Sequence, residues 1–438
     1  MGNLAFMIAL PEIARVRQIL DPPRVADVPG AVAKSILESC IRERVRPGGS
    51  IALTVGSRGI AGIVDIAASA VKTLQSRGFR PFVVAAMGSH GGGTAEGQRE
   101  LLAELGITEA SVDCPIVSSM ETVILGENSY GLPIHFDRAA FAADGIILLN
   151  RIKPHTSFTG KYESGLLKML TIGLGKQQGA AQVHKLGLPG LAKLLPEVGS
   201  FLLANTKVIL GIALLENAQE TTAKVIGIEP EDLLEVEPKL LDESRDLMAR
   251  LPFDQIDVLI VGELGKNYSG TGLDPNVIGR QRVETMPDLP RPVITRLAVL
   301  DVSVESRGNT LGTGLADLTT DRLVRQIDPV PIKVNCLTSN FLTRARVPIA
   351  LETDRAVIEA CLNTCWRTSW SEARVAFIPN TLELTTIWVT RPFANDVESN
   401  EGLTFETDFQ PMPLDVSGTL DQEALFPDSV RARRVVHA

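Results

Sequence analysis

Phe82-Val83-Val84-Ala85-Ala86-Met87-Gly88-Ser89-His90-Gly91-Gly92-Gly93-Thr94 is an apolar run that breaks into glycines, with one imidazole in the break. Residues 82–86 read as a short buried strand, and the glycines allow a sharp turn and a close backbone approach to a ligand. Thr94, with Glu96 two residues on, predicts a capped helix start with an acidic first turn, a place that also suits an anion. A strand that runs through a glycine loop into a helix is the building unit of a parallel or mixed sheet. The GxGxxG spacing of a dinucleotide-binding turn is absent.

The same unit recurs on both sides of this stretch. Residues 51–55 lead into Gly56-Ser57-Arg58-Gly59, and residues 146–149 lead into Arg151-Ile152-Lys153-Pro154-His155. A further strand is expected at 208–215, and a charged helix at 230–250 closes a first domain near Leu251-Pro252. A second α/β region starts at 258–261 and carries loops at 265–282 and 307–314 before a helix near Thr319. Thr353 and Asp354 read as the cap and first turn of a helix through Cys365, and residues 374–390 as two short strands around Pro379-Asn380-Thr381. The expected fold class is α/β: two α/β domains with mixed sheets and an active site in the cleft between them. The expected divisions are 1–252 and 253–391, with 373–391 able to pack back on the first domain, followed by a C-terminal tail, 392–438, whose last residues are basic.

Composition narrows the function. With 438 residues and 45% hydrophobic content, the chain can fill more than one core. Forty-three Lys and Arg stand against 52 Asp and Glu, a net charge of −9, which disfavours nucleic acid and anionic membrane surfaces as partners. No apolar run reaches membrane length and no signal peptide is read at the start, so a cytoplasmic protein is expected. The five cysteines form neither a disulfide framework nor a zinc knuckle; Cys361 and Cys365 are expected on one buried helix face.

Only five histidines occur, so their placement is informative. His437 falls in the tail, and His135, after Leu132-Pro133-Ile134, reads as structural. His90 and His155 each lie just past a strand end, with Pro154 fixing the backbone before the second. Arg58 offers a guanidinium fork for a carboxylate or phosphate. Lys168 sits in Glu163-Ser164-Gly165-Leu166-Leu167-Lys168-Met169-Leu170, a lone cation among apolar residues, which either snorkels out or is used chemically. His184 follows it by sixteen residues.

The order Arg loop, Gly-x-His loop, second His, Ser-Gly-x-x-Lys and a His sixteen residues later resembles the lactate racemase superfamily, whose members use a nickel pincer nucleotide. The resemblance runs from about Arg46 to about Thr390. It implies Lys168 as the covalent anchor of the cofactor, His184 as the nickel ligand, and His90 and His155 as an acid/base pair. It further implies Arg58 as a clamp on substrate or cofactor, with Gly91, Gly92, Ser164 and Gly165 lining the cofactor. Sulfur donors with one imidazole suit square-planar nickel. In the second domain Gly265-Lys266-Asn267-Tyr268-Ser269-Gly270-Thr271-Gly272 leads to Arg280 and Arg282, and Lys266, Arg280 or Arg282 would fill the place of the family's substrate-contacting lysine.

The implied reaction is racemisation or epimerisation of a 2-hydroxy acid, by abstraction of the α-hydrogen as hydride and its return to the opposite face. Removal as a proton would be opposed by the negative carboxylate beside it. The implied partners are a small 2-hydroxy acid, one larger or more polar than lactate being expected from the second-domain cations, and the enzymes that synthesise the cofactor. Two other readings stay open at this level: a cofactor-independent isomerase that transfers protons between His90 and His155, and a non-catalytic protein that binds an organic acid or the nucleotide.

Overall fold

A computed structural model describes residues 9–57, 59–284 and 286–431, so Arg58 and the basic end of the tail with His437 lie outside the described residues. The chain forms two compact units, one of residues 22–248 and one that joins residues up to Asp21 to those from Ala249 on. Both are α/β. The first strand, Ile13–Gln18 (β1), belongs to the second unit.

In the unit of residues 22–248 the strands are Ser50–Val55 (β2), Arg80–Ala85 (β3), Ile116–Val117 (β4), Thr122–Glu127 (β5), Pro133–Asp137 (β6), Gly145–Arg151 (β7), Val208–Glu216 (β8) and Thr222–Ile228 (β9). Six form one sheet in the order β4-β3-β2-β7-β8-β9, parallel except for β9, while β5 and β6 make a separate hairpin. The near-continuous apolar run of β7 reflects burial on both faces, as a parallel sheet covered on each side requires. On one face Ile51, Leu53, Val55, Val83, Ala85, Ile147 and Leu149 share a core with Ile66, Ala70 and Leu74 of the helix Ile63–Ser76. On the other, Gly211 of β8 lies against Leu166 and Leu233, which brings residues 166–173 and the helix Leu233–Leu247 onto the sheet.

The chain leaves β2 towards β3 on one side and, from β7, moves to β8 on the other. The strand order therefore reverses between β2 and β7, and loops from the carboxyl ends of β2, β3 and β7 splay apart there, where open α/β sheets bind ligands.

The second unit adds Gln255–Leu264 (β10), Val293–Val302 (β11), Leu318–Thr320 (β12), Ile349–Leu351 (β13), Val375–Ile378 (β14), Thr386–Thr390 (β15) and Leu403–Phe405 (β16). Its sheet runs β13-β12-β11-β10-β14-β15-β1-β16, parallel from β13 to β14 and antiparallel beyond. This differs from the sequence expectation in two places. Ile13, Ala14 and Val16 are fully buried in β1, which pairs with β15 and β16 and not with the strands that follow it in sequence. Residues 373–391 supply β14 and β15 of this same sheet. Beyond 392 the chain returns as β16, and Met412, Leu420, Leu425 and Phe426 enter the core with Val357, Cys361 and Cys365. Such pairings join residues hundreds of positions apart, which local patterning cannot register.

Other local expectations match. Thr94 caps the helix Ala95–Glu104 by accepting from Gly97 N at 3.1 Å, and Thr353 caps Asp354–Thr364 by accepting from Ala356 N at 3.1 Å. The helix expected near Thr319 starts two residues later as Asp321–Arg325, capped by Thr320.

Candidate active site

The His90 loop leaves β3 through Met87 and folds on its own glycines. Gly91, Gly92 and Gly93 all have positive φ, and a Cβ at Gly91 would lie 2.5 Å from the Gly97 carbonyl carbon and 2.6 Å from Gln98 N. The buried Gln98 amide donates to the carbonyls of Gly88 at 2.9 Å and His90 at 3.3 Å, so the helix after the loop holds it closed. His90 itself is exposed, and its Nδ1 is hydrogen-bonded to the hydroxyl of Ser57 from the loop after β2.

The His155 loop is a closed ring. Lys153 N donates to Ser164 O at 2.8 Å and Ser164 N to Lys153 O at 3.2 Å, so the chain returns to its starting point after leaving β7. Inside the ring the buried Glu163 accepts from His155 N at 2.6 Å, from Gly160 N at 3.0 Å and from Arg245 at 2.6 Å. His155 is half-buried with its ring 4.5 Å from that of Phe158, and its Nδ1 accepts from Ser157 N at 3.0 Å.

From Ser164 the chain enters the segment that carries Lys168. A short α-turn, Leu166–Lys168, runs into a π-helical turn, Met169–Gly173, a form that concentrates at functional sites. Asn150 donates to Gly165 O at 2.9 Å, and the buried Glu237 carboxyl accepts from Leu167 N at 2.9 Å. Glu237 also explains Gly165: a Cβ there would lie 2.2 Å from Glu237 Oε1. Burial pushes the Glu237 carboxyl up to about 8, although the N–H groups of Leu166 and Leu167 favour its charged form. Gly173 fits against Ala86 with no room for a side chain, and Gly88 N donates to Gly173 O at 3.1 Å. Half-buried Lys168 ends the short turn that runs into this π-helical turn, whose Gly173 packs at the end of β3.

His184 lies on the next helix, Lys176–Lys185; its side chain is outside what the structure describes. That helix is anchored by Lys176, fully buried, whose Nζ lies 3.0 Å from the equally buried Asp137 and donates to Ala85 O at 2.6 Å at the end of β3. Its φ of 54° is strained for a residue with a side chain. Gln177, next along, presses on Gly93, so the start of this helix abuts the His90 loop.

In the second unit Lys266 follows β10, donating from Nζ to Gly270 O at 2.8 Å and accommodated by Ser306 Oγ on its backbone N–H. Arg280 does not share this place. It is buried at the amino end of β11, 2.9 Å from Asp317 and bonded to the carbonyls of Leu315, Ile294 and Thr295. Arg282 faces Asp317 and Asp288. From Ile294 to the carboxyl end of β11 is roughly 26 Å at about 3.3 Å per residue. The three cations therefore do not crowd one loop: two are paired near the amino end of β11, and Lys266 lies past the carboxyl end of the neighbouring parallel strand β10.

Sequence reasoning missed Ser57, Asn150, Glu163, Lys176 and Glu237. Glu237 had a signal: it falls on the apolar face of its helix, four residues after Leu233 and three before Leu240. His135 pairs with Thr122 Oγ1 at 2.9 Å in the β5–β6 hairpin, as a structural histidine. Among the described residues no three His, Cys, Asp or Glu side chains make a protein-only metal site, and no helix is long and apolar enough to cross a membrane.

Residues 25–191, which hold every first-unit candidate, match the family model of the lactate racemase N-terminal domain. Among solved structures the chain is similar to the lactate racemase apoprotein from Thermoanaerobacterium thermosaccharolyticum, at 9% identity and a TM-score of 0.49, over 83% of this chain and 94% of that one. No curated protein sequence matches the chain. The family match thus covers residues 25–191, over which the chain is similar to the lactate racemase N-terminal domain.

Proposed function

We propose that the chain is an isomerase that racemises or epimerises a 2-hydroxy acid with a nickel pincer nucleotide joined covalently to Lys168. What supports this reading is that the loops carrying His90 and His155 follow β3 and β7, the strands that flank β2 in the sheet, and that the Lys168 turn comes next in the chain, all inside the matched residues 25–191. The donor set fits such a cofactor: a half-buried amine on a pinned turn for the covalent link, and His184 on the following helix as the protein's ligand to nickel, the other ligands coming from the nucleotide. When bound, the cofactor supplies a two-electron acceptor for the hydrogen on the α-carbon.

The protein's own residues do the rest. The glycine loop lets backbone approach the bound molecule, Glu237 and Asn150 hold the anchor turn still, and imidazoles handle the hydroxyl proton. Arg58 is assigned to the substrate carboxylate or the cofactor, and Lys266 remains the second-unit candidate for a substrate oxygen. With Arg280 and Arg282 already paired, the case for a substrate bulkier than lactate loses its basis, and lactate belongs in the substrate panel.

Co-expression with the cofactor synthesis enzymes tests the reading. The purified chain should gain nickel and a mass increment on Lys168, lost in Lys168→Ala, and should interconvert single enantiomers of a 2-hydroxy acid without solvent deuterium entering the α-carbon. Interconversion by protein lacking both nickel and adduct, with rapid label uptake, would instead establish a proton-transferring isomerase.

A further inference from the structure

We propose a further ligand site in the unit of residues 22–248: a cleft of about 230 Å³ that binds a small carboxylic acid carrying a hydroxyl or ammonium group beside the carboxylate. None of Ser57, His90, His155 or Lys168 lines it, and the inference goes beyond the racemase reading without resting on it.

Two helices begin at this cleft. The helix Ile63–Ser76 starts from Gly62, which has a positive φ and no side chain to cap with, and the N–H groups of Val64 and Asp65 meet no acceptor among the described residues. The helix Val28–Glu38 brings Pro29 to the wall, its own first turn being capped by Asp27. Both positive dipole ends favour an anion. Arg24 lines the cleft as well, exposed and with no counter-ion among the described residues. Its place is built: Val25 N donates to Thr222 O at 2.8 Å and Asn217 to Pro23 O at 2.9 Å, so both neighbours of Arg24 are tied to the β8–β9 connection.

Thr222 is the observation that points to a ligand. It is 3% exposed and lines the cleft, and its hydroxyl has no hydrogen-bond partner. A buried hydroxyl left unpaired is costly, and a ligand oxygen would satisfy it. The register of β8 and β9 shifts where Glu216 faces Thr222, an irregularity of the kind that re-aims side chains beside sites.

The lining also selects the class. A guanidinium and a helix start suit a carboxylate or a phosphate. Asp65, exposed in the first turn of the helix, repels a doubly charged phosphate and accepts from a hydroxyl or an ammonium group. A carboxylate with such a donor on the next carbon meets both demands, and 2-hydroxy and 2-amino acids share that chemistry. A single water needs roughly 10–15 Å³ of such space, so the cleft has room for an organic acid.

Saturation-transfer NMR titrations of the full-length chain with lactate, alanine and propanoate test the site, the three acids differing only in the group beside the carboxylate. Lactate or alanine should bind, the tighter one naming the source, and propanoate should bind at least about tenfold more weakly. Arg24→Gln and Thr222→Val should each weaken the tighter ligand by about tenfold or more. Thr222→Val should also raise the melting temperature, because a methyl replaces an unpaired buried hydroxyl, so its lost binding cannot come from misfolding. Asp65→Asn should narrow the gap between propanoate and the other two. Unchanged binding in both Arg24→Gln and Thr222→Val would place the acid elsewhere and overturn the proposal, as would no binding of lactate or alanine. Equal affinity for propanoate would overturn the assigned class.

Discussion

Replacing Glu237 by Gln tests the physical reading of the anchor turn. In the folded chain this carboxyl is pushed from its ordinary 4.5 up to about 8, with burial the main cause. A folded value raised above the unfolded one means that the contribution to stability is fully present below about 4.5 and is lost as pH rises through about 8. At about 1.36 kcal/mol per unit, the whole shift corresponds to roughly 5 kcal/mol, and at pH 7 roughly 3 kcal/mol of it is already spent. Both figures are upper bounds in order of magnitude, because the group relaxes and water penetrates when it ionises. Gln reproduces the protonated carboxyl: its oxygen can accept from Leu167 N, and its amide takes the place of Oε1, which has no hydrogen-bond partner. Urea unfolding of wild type and Glu237→Gln at pH 5, 7 and 9 should show nearly equal stability at pH 5 and a growing advantage for Gln, of a few kcal/mol, at pH 9. The difference between the proteins cancels titrations they share. A difference that stays constant with pH, or grows towards acid, would refute the assignment of a protonated, buried Glu237.

Lys176→Met leaves Asp137 buried without its cation and should cost about 3–5 kcal/mol by denaturant unfolding, most of it recovered in Lys176→Met with Asp137→Leu; an unrecovered double variant would show that the pair is not the cause. Gly91→Ala puts a methyl into the Gly97–Gln98 backbone at a φ of 63°, and turnover should fall at least tenfold with the Lys168 adduct retained, read by intact mass. Arg280→Met should destabilise the fold by a few kcal/mol, since it removes the donor to three carbonyls and the nearer of the two cations beside Asp317, whereas Lys266→Ala should keep the melting temperature and raise KM. Equal thermal losses for these last two would contradict their separate roles.

The strand–loop–helix units around Gly56, His90 and His155 were legible because each is local: an apolar run, a turn residue and a cap fall within about twenty residues. For the same reason the loop positions of His90 and His155 could be read before the sheet order was known. The seating of β1 between β15 and β16 was not legible, since a six-residue alternating strand carries no mark of a partner near residue 388 or 404. Arg280 was misread as available because a sequence shows a charge but not its counter-ion; Asp317 lies 37 residues away and reaches it only across the start of β11. Lys176 gave no signal, since what makes it structural is a carboxylate on the hairpin and a carbonyl at a strand end.

The ring of residues 153–164 has an evolutionary consequence. Its two ends meet through paired backbone atoms, and its inner N–H groups are gathered by one carboxylate that is tied to a separate helix through Arg245. Insertions or exchanges at its tip, around Thr159, Gly160 and Lys161, need not displace either β7 or the turn that bears Lys168. The segment behaves as an exchangeable module between two fixed posts. Lineages with this architecture can vary the tip of the ring while β7 and the turn that bears Lys168 stay in register.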